Sequence, residues 1–341
     1  MHKATYAKIA ALAALLTLIV VVFGAYVRLS DAGLGCPDWP GCYGHLGVPE
    51  TPAEIAQANQ AHPERPVEPA KAWKEMYHRY LASGLGVLIL FLAMVAWLNK
   101  QAGFPVLLPT LLVALVIFQG LLGMWTVTLL VKPLVVTAHL AGGLTTLLLL
   151  WWLALRTGSW FAGNLTQSIL RLRPWLWLAF IILILQTLLG GWTSTNYAAA
   201  ACIEFPTCYG GQWVPSTNFT EAFTLWRGLG INYEGGVLDN PARVAIHVTH
   251  RIGAVVTFLY LVILSLQIML RAGSISQLLL GIMMHLLVFA QVGLGIAVVL
   301  NFRQLEVAVA HNKVAALLLL VTVTLIHILN PDKTGAGVKT P

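Results

Sequence analysis

The chain has 341 residues, of which 58% are hydrophobic and only 10% charged, with a mean hydropathy of +0.79. A soluble domain carries about 25% charged residues, so this composition excludes a soluble protein, and it is far too apolar for a disordered one. The net charge of +7 would suggest nucleic acid for a soluble chain. In a membrane chain it reflects basic residues gathered on the cytoplasmic face, and no nucleic-acid partner is expected.

Eight apolar stretches are long enough for a helix to cross the hydrocarbon core: 8–27, 76–98, 104–130, 134–155, 174–195, 244–270, 276–299 and 306–329. Backbone groups in lipid must bond internally, so these are predicted helices. The first also fits a signal peptide, but its apolar run is long for one. An even number of spans places both termini on one side and the long connections 28–75 and 196–243 on the other. Arg156, Arg171, Arg173 and Arg271 lie in short loops on the terminal side, together with Lys333 and Lys339 in the C-terminal tail. Of the 13 acids only Asp332 falls on the terminal side. The basic loops orient the termini towards the cytoplasm.

The chain repeats itself. Gly24, Cys36, Pro40, Cys42, Tyr43 and Gly44 recur 166 residues on as Gly190, Cys202, Pro206, Cys208, Tyr209 and Gly210. His78-Arg79, Gln119 and His139 recur 172 residues on as His250-Arg251, Gln291 and His311. A related phrase links Gln119-Gly-Leu-Leu-Gly123 with Gln186-Thr-Leu-Leu-Gly190. The expected architecture is therefore an all-α polytopic membrane protein of two tandem four-helix bundles, residues 1–158 and 159–341, joined through 156–173. Four spans per half make the repeat parallel, about an axis along the membrane normal.

Four of the ten histidines belong to this repeat: His78, His139, His250 and His311. All fall in the outer leaflet, two per half. A facing histidine pair inside a four-helix bundle suits a haem iron. Zinc would want three or four ligands, and the thiols lie elsewhere. The plain alternative is interhelical hydrogen bonding, though ionisable residues inside a membrane are usually functional. His247 stands one turn before His250 and can tune it. His285 and His327 lack repeat partners and read as packing residues. His2, His45 and His62 are terminal or in loops. Arg79 and Arg251 follow their histidines and suit either haem propionates or interfacial snorkelling. Arg28, after the first span, reads as snorkelling.

The repeat breaks at Glu75, which shares a helix face with His78 and is matched by His247 in the second half. A carboxyl beside a cofactor pocket can move protons; the bland alternative is an ion pair with Lys71 or Lys74. Only the first half has it, which suggests that the first half does chemistry and the second holds a redox cofactor.

Cys36 and Cys42 enclose five residues, as do Cys202 and Cys208. Of the three possible pairings, the repeat favours one disulfide within each outward-facing loop, where disulfides persist. A redox role for the first pair stays open. Thr51-x-x-Glu54 resembles a capping box opening a helix over 52–61. Trp213, Phe219 and Trp226 sit at the interface or cap a pocket.

Cys36-Pro-Asp-Trp-Pro40 with Cys42-Tyr-Gly44, then Glu75-x-x-His78-Arg79, His139, His250-Arg251 and His311, resemble the haem A synthase family over nearly the whole chain. Asn312-Lys313 departs from Leu140-Ala141, so the match at His311 rests on position. The resemblance implies an oxidoreductase that converts haem O to haem A, oxidising a ring methyl to a formyl group through hydroxylated intermediates for haem-copper terminal oxidases. It implies haem b held by His250 and His311, substrate haem near His78, His139 and Arg79, and a need for Glu75. It also implies the haem O-producing farnesyltransferase and the terminal oxidase assembly as candidate protein partners. A six-coordinate bis-histidine iron activates oxygen poorly. Either a first-half histidine lets go during turnover, or water supplies the oxygen. The rivals are a dihaem electron carrier, a haem transporter and a thiol–disulfide enzyme. The first has no need for a unique Glu75, the second predicts exchangeable haem in both halves and no modified product, and the third leaves the histidines unexplained. Met1-His2-Lys3 enters a span at once, leaving no room for a transit peptide, so a bacterial inner membrane is expected.

Overall fold

The computed structural model describes residues 1–158, 160–161, 165–301 and 304–330. Asp332, Lys333 and Lys339 lie outside them. Among the described residues, eight helices are long and apolar enough to cross a membrane. In chain order, α1 (Lys3–Leu29) is followed by a short surface helix α2 (Pro52–Ala61), then α3 (Pro69–Leu98), α4 (Leu107–Thr128) and α5 (Pro133–Thr157). The one-turn α6 (Gln167–Leu170) leads into α7 (Arg173–Thr195). The one-turn α8 (Phe219–Ala222) precedes α9 (Asn240–Arg271), α10 (Ile275–Leu300) and α11 (Leu305–Ile328). The protein is thus an all-α polytopic membrane protein.

The predicted spans match these helices within a few residues, except that α1 and α3 start earlier. α3 opens on Pro69, a residue favoured in the first helical turn. Its 30 residues reach about 45 Å at 1.5 Å each, more than the hydrocarbon core of about 30 Å. Its first turns are polar and carry Glu75. The predicted capping box is present at α2: Thr51 Oγ1 accepts from Glu54 N at 3.2 Å, and Glu54 Oε2 accepts from Thr51 N at 3.0 Å.

α1 packs on α3 and α5, and α4 packs on the same two helices. α9 packs on α7 and α10, and α11 packs on those two likewise. Between these groups α1 meets α11, and α5 meets α7 and α11. Ala7, Ala10 and Ala13 on α1 are fully buried; such small residues let helix backbones approach closely where no hydrophobic force drives them together. A continuous apolar core fills the helix ends nearest the termini, through Tyr6, Leu92, Leu150, Leu176, Ile268 and Leu319. Trp151 Nε1 donates to Thr324 Oγ1 at 2.8 Å, joining α5 to α11. The histidines of the repeat lie towards the other end. Exposed Leu111 and Ile117 on α4 and Leu279 and Leu286 on α10 face outward, as lipid-facing residues do.

Candidate functional site

α3 and α5 bring His78 and His139 together, with ring centres 6.5 Å apart and planes at 81°. One metal ion bonded to a nitrogen of each ring at about 2 Å fits that spacing. Room for each ring comes from a glycine on a neighbouring helix. A Cβ at Gly24 would stand 2.8 Å from His78 Cε1, and one at Gly123 would stand 3.6 Å from His139 Cε1. In the second half the same construction recurs, with Gly190 at 3.2 Å from His250 Cε1 and Gly295 at 3.1 Å from His311 Cε1. All four rings are partly accessible although packed among helices. Among the described residues no group of three or more His, Cys, Asp or Glu comes together to hold a metal ion. The donor set is therefore one imidazole pair per half, which suits a haem iron, whose porphyrin supplies the other ligands.

Glutamines hold three of these rings. With its amide nitrogen turned towards the acceptors, Gln119 lies 2.9 Å from His139 Nδ1, donates to His139 O at 3.1 Å and accepts from Gly143 N at 3.2 Å. Gln186 Nε2 lies 3.1 Å from His250 Nδ1 and donates to His250 O at 3.0 Å. His311 Nδ1 lies 3.0 Å from the Gln291 carbonyl, and its Nε2 lies 3.2 Å from the Gln291 amide nitrogen. The repeat flags Gln119 and Gln291 in the sequence. The role of Gln186 had only the shared Gln-x-Leu-Leu-Gly phrase to mark it.

Glu75 and His247 occupy the corresponding place beneath their histidines, and each is only 5% exposed. Glu75 Oε2 accepts from Cys36 N at 3.0 Å, and Oε1 accepts from Arg79. His247 Nδ1 lies 3.3 Å from Cys202 N and its Nε2 3.3 Å from Arg251 Nε, and a neutral imidazole accepts at only one of the two. The alternative of an ion pair between Glu75 and Lys71 or Lys74 is not the one formed: Glu75 pairs with Arg79, and Lys71 binds Glu68 at 2.9 Å. Arg79 also donates to the carbonyls of Asp38, Pro40 and Gly41 at 2.6–3.2 Å. Arg251 donates to those of Cys202, Glu204 and Thr207 at 2.9–3.3 Å. Both arginines thus clamp their cysteine loops onto the bundle, a use that neither propionate binding nor snorkelling anticipated.

The loops are built alike. Cys36 bonds Cys42 and Cys202 bonds Cys208, each with an S–S length of 2.01 Å. Asp38 accepts from the backbone N–H groups of Tyr43 and Gly44 at 2.6 and 2.7 Å. Glu204 accepts from those of Gly210 and Gly211 at 3.0 and 3.2 Å. These bonds, with one from the Thr207 hydroxyl, hold the Glu204 carboxyl below the ordinary range.

Arg28 is a correction. It does not snorkel: it donates to Ser194 O at 3.0 Å and Tyr197 Oη at 3.2 Å, with its guanidinium 4.4 Å over the Tyr197 ring. Tyr197 in turn donates to Asp31 Oδ1 at 3.1 Å, and Arg65 pairs with Glu234 at 3.3 Å, so the two long loops are tied together. Trp226 lies over Lys132 Nζ at 3.1 Å from the ring centre, and all three of Trp213, Phe219 and Trp226 are exposed. His285 meets Ser265 Oγ at 2.9 Å, and His327 packs edge-on against Trp152 at 5.3 Å; both serve packing, as expected.

A family model described as "COX15-CtaA: Cytochrome oxidase assembly protein" matches residues 7–323, a range that contains all four histidines and both cysteine loops. The chain belongs to this family. A protein of Shewanella oneidensis named "Heme A synthase" is 45% identical over 315 residues, covering 92% of this chain and 93% of the relative. Proteins of the same name from Erythrobacter litoralis and Halalkalibacterium halodurans are 29% and 25% identical, covering 92% and 93% of this chain and 93% and 94% of their own length.

Proposed function

We propose that the chain is a haem A synthase, an oxidoreductase that converts a ring methyl group of haem O to a formyl group, giving haem A for haem-copper terminal oxidases. The observation that carries this reading is the 45% identity to a protein of that name over 92% of the chain. The paired histidines support it, since the 6.5 Å between the His78 and His139 ring centres suits one iron between them.

Two parallel four-helix halves, residues 1–158 and 159–341, divide the work. His78 and His139 hold the substrate haem O in the first. His250 and His311 hold haem b in the second, where bound haem b supplies reversible one-electron transfer. Glu75 is the proton acceptor when the methyl group is oxidised. The carboxylate lies one turn from His78 on the same helix face and is shielded from water. Arg79 and Arg251 hold the loops over the two pockets. A contact from Arg79 to the substrate haem, or from Arg251 to a propionate, requires each arginine to exchange a loop carbonyl for the ligand. The cysteine loops face the outside of a bacterial inner membrane and the termini face the cytoplasm, supported by the arginines in the short terminal-side loops. The farnesyltransferase that makes haem O and the terminal oxidase assembly are the protein partners this role calls for.

The test is haem extraction and chromatography from a host lacking haem A that co-expresses this chain with a haem O-making farnesyltransferase. Haem A or its hydroxylated precursor is expected. Unchanged haem O beside correctly inserted protein would overturn the reading.

A further inference from the structure

The four histidines are built into the bundle by a recurring device, of which the copy at His78 keeps only the glycine beneath the ring. Each ring rests on a glycine, and four residues before that glycine, one turn back on the same helix face, stands the residue that can reach the ring. These residues are Gln119 before Gly123, Gln186 before Gly190 and Gln291 before Gly295. Before Gly24 the residue is Val20. Gln119 and Gln186 reach Nδ1 of their histidines at 2.9 and 3.1 Å, whereas Gln291 meets His311 Nδ1 through its backbone carbonyl at 3.0 Å and lays its side-chain amide 3.2 Å from Nε2.

The device has a second component in two of the copies. Gln119 and Gln186 are seated over the glycine three residues beyond the histidine, Gly142 and Gly253. A Cβ there would stand 1.4 Å from the Gln119 amide and 2.2 Å from that of Gln186, so no larger residue is compatible with the seat. Three residues beyond His78 is Leu81. His78 thus lacks both the glutamine and its seat, and its Nδ1 is buried without a hydrogen-bond partner. Outer hydrogen bonds fix a ligating imidazole's orientation and raise its basicity, and their loss costs about 10–100-fold in metal affinity.

We propose that His78 is the releasable ligand of the four: Val20 and Leu81 leave its ring unheld, so the substrate iron opens on the His78 side while His139 stays bound and the second-half iron stays closed on both faces. Val20 and Leu81 are positioning residues that act through His78. The proposal rests on the reading that these histidines ligate haem, and it decides which first-half histidine lets go.

Carbon monoxide is the probe, titrated against the dithionite-reduced, haem-loaded full-length protein. In the wild type, CO is expected to bind one of the two haems. Val20→Gln/Leu81→Gly, which installs the missing device, is expected to weaken CO binding about 10–100-fold. Gln186→Val is expected to make the second haem reactive towards CO. If the double variant fails to retain haem, Gln186→Val decides alone, and no gain of CO reactivity overturns the proposal. CO binding equally to both halves of the wild type, or unchanged in the haem-loaded double variant, also overturns it. A low-spin bis-imidazole spectrum in the wild type with either of those results leaves the haem-ligand reading standing. Absence of that spectrum overturns both.

Discussion

Glu75 in the first half and His247 in the second do the same mechanical work with different chemistry. Each faces the backbone N–H of the first loop cysteine and the arginine four residues on; Glu75 accepts from both, and His247 can accept from only one of them. A carboxylate has two acceptor oxygens for two donors, whereas a neutral imidazole has one acceptor nitrogen. The contacts of His247 are accordingly long, at 3.3 Å each, against 3.0 Å for the Cys36 bond to Glu75. The second half shows that the loop can be held without a carboxylate. Under the proposed function, the task that Glu75 adds to holding the loop is that of proton acceptor.

Exchanging the two residues breaks the comparison most sharply. Glu75→His should retain the Cys36–Cys42 loop, because His247 holds its own loop that way, yet lower haem A formation by about 10²–10⁴-fold, the usual worth of a general base. His247→Glu should leave haem A formation intact. Haem chromatography reads the first effect, and protease resistance of the loop reads the second. Glu75→Ala is less informative, since it removes both roles at once.

The glycine seats come next. Gly24→Ala sets a Cβ 2.8 Å from His78, and Gly190→Ala sets one 3.2 Å from His250. Each should lower haem retention in its own half, by about 10-fold or more where the ring must leave its position. The effect should be larger at Gly24, where the contact is closer. Haem stoichiometry of the purified variants measures it.

Smaller still is the tie between the halves. Arg28→Ala removes charge-assisted bonds to Ser194 and Tyr197, worth about 1.5–3 kcal/mol. It should lower the thermal midpoint of the holoprotein while leaving both haem spectra unchanged. The mildest effect concerns the second loop in acid. The Glu204 carboxyl is held below its ordinary value, so its contribution is present above the unfolded-state pKa and is lost as the pH falls through the folded one. Below the ordinary carboxylate range, amide exchange at Gly210 and Gly211 should quicken, and Glu204→Gln should remove that pH dependence.

Much of this arrangement is legible in the amino-acid order because membrane insertion and duplication both leave local marks. Apolar runs locate the eight spans, constant offsets of 166 and 172 residues pair the loops and histidines, and Thr51 with Glu54 announces α2. The early start of α3 was hidden because its first turns are polar, so apolarity could not report them. The loop-clamping role of Arg79 and Arg251 was hidden because their acceptors are backbone carbonyls, which every residue carries and only the folded loop aims. Arg28 read as snorkelling because its partners, the Ser194 carbonyl and the Tyr197 hydroxyl, lie in the other half, and a backbone carbonyl leaves no mark in the sequence. The device around the histidines was half visible: glutamines and glycines stand at a fixed interval, but the histidine each serves lies on another helix. Only the fold shows that Val20 stands where a glutamine would be.

The most direct test of the division between the halves is haem analysis of Glu75→His and His247→Glu, each co-expressed with a haem O-making enzyme in a host lacking haem A. The account predicts that Glu75→His carries haem O and haem b but yields no haem A, while His247→Glu yields haem A as the wild type does. Haem A from Glu75→His at the wild-type level would contradict it, because the first-half carboxylate would then do no more than His247 does.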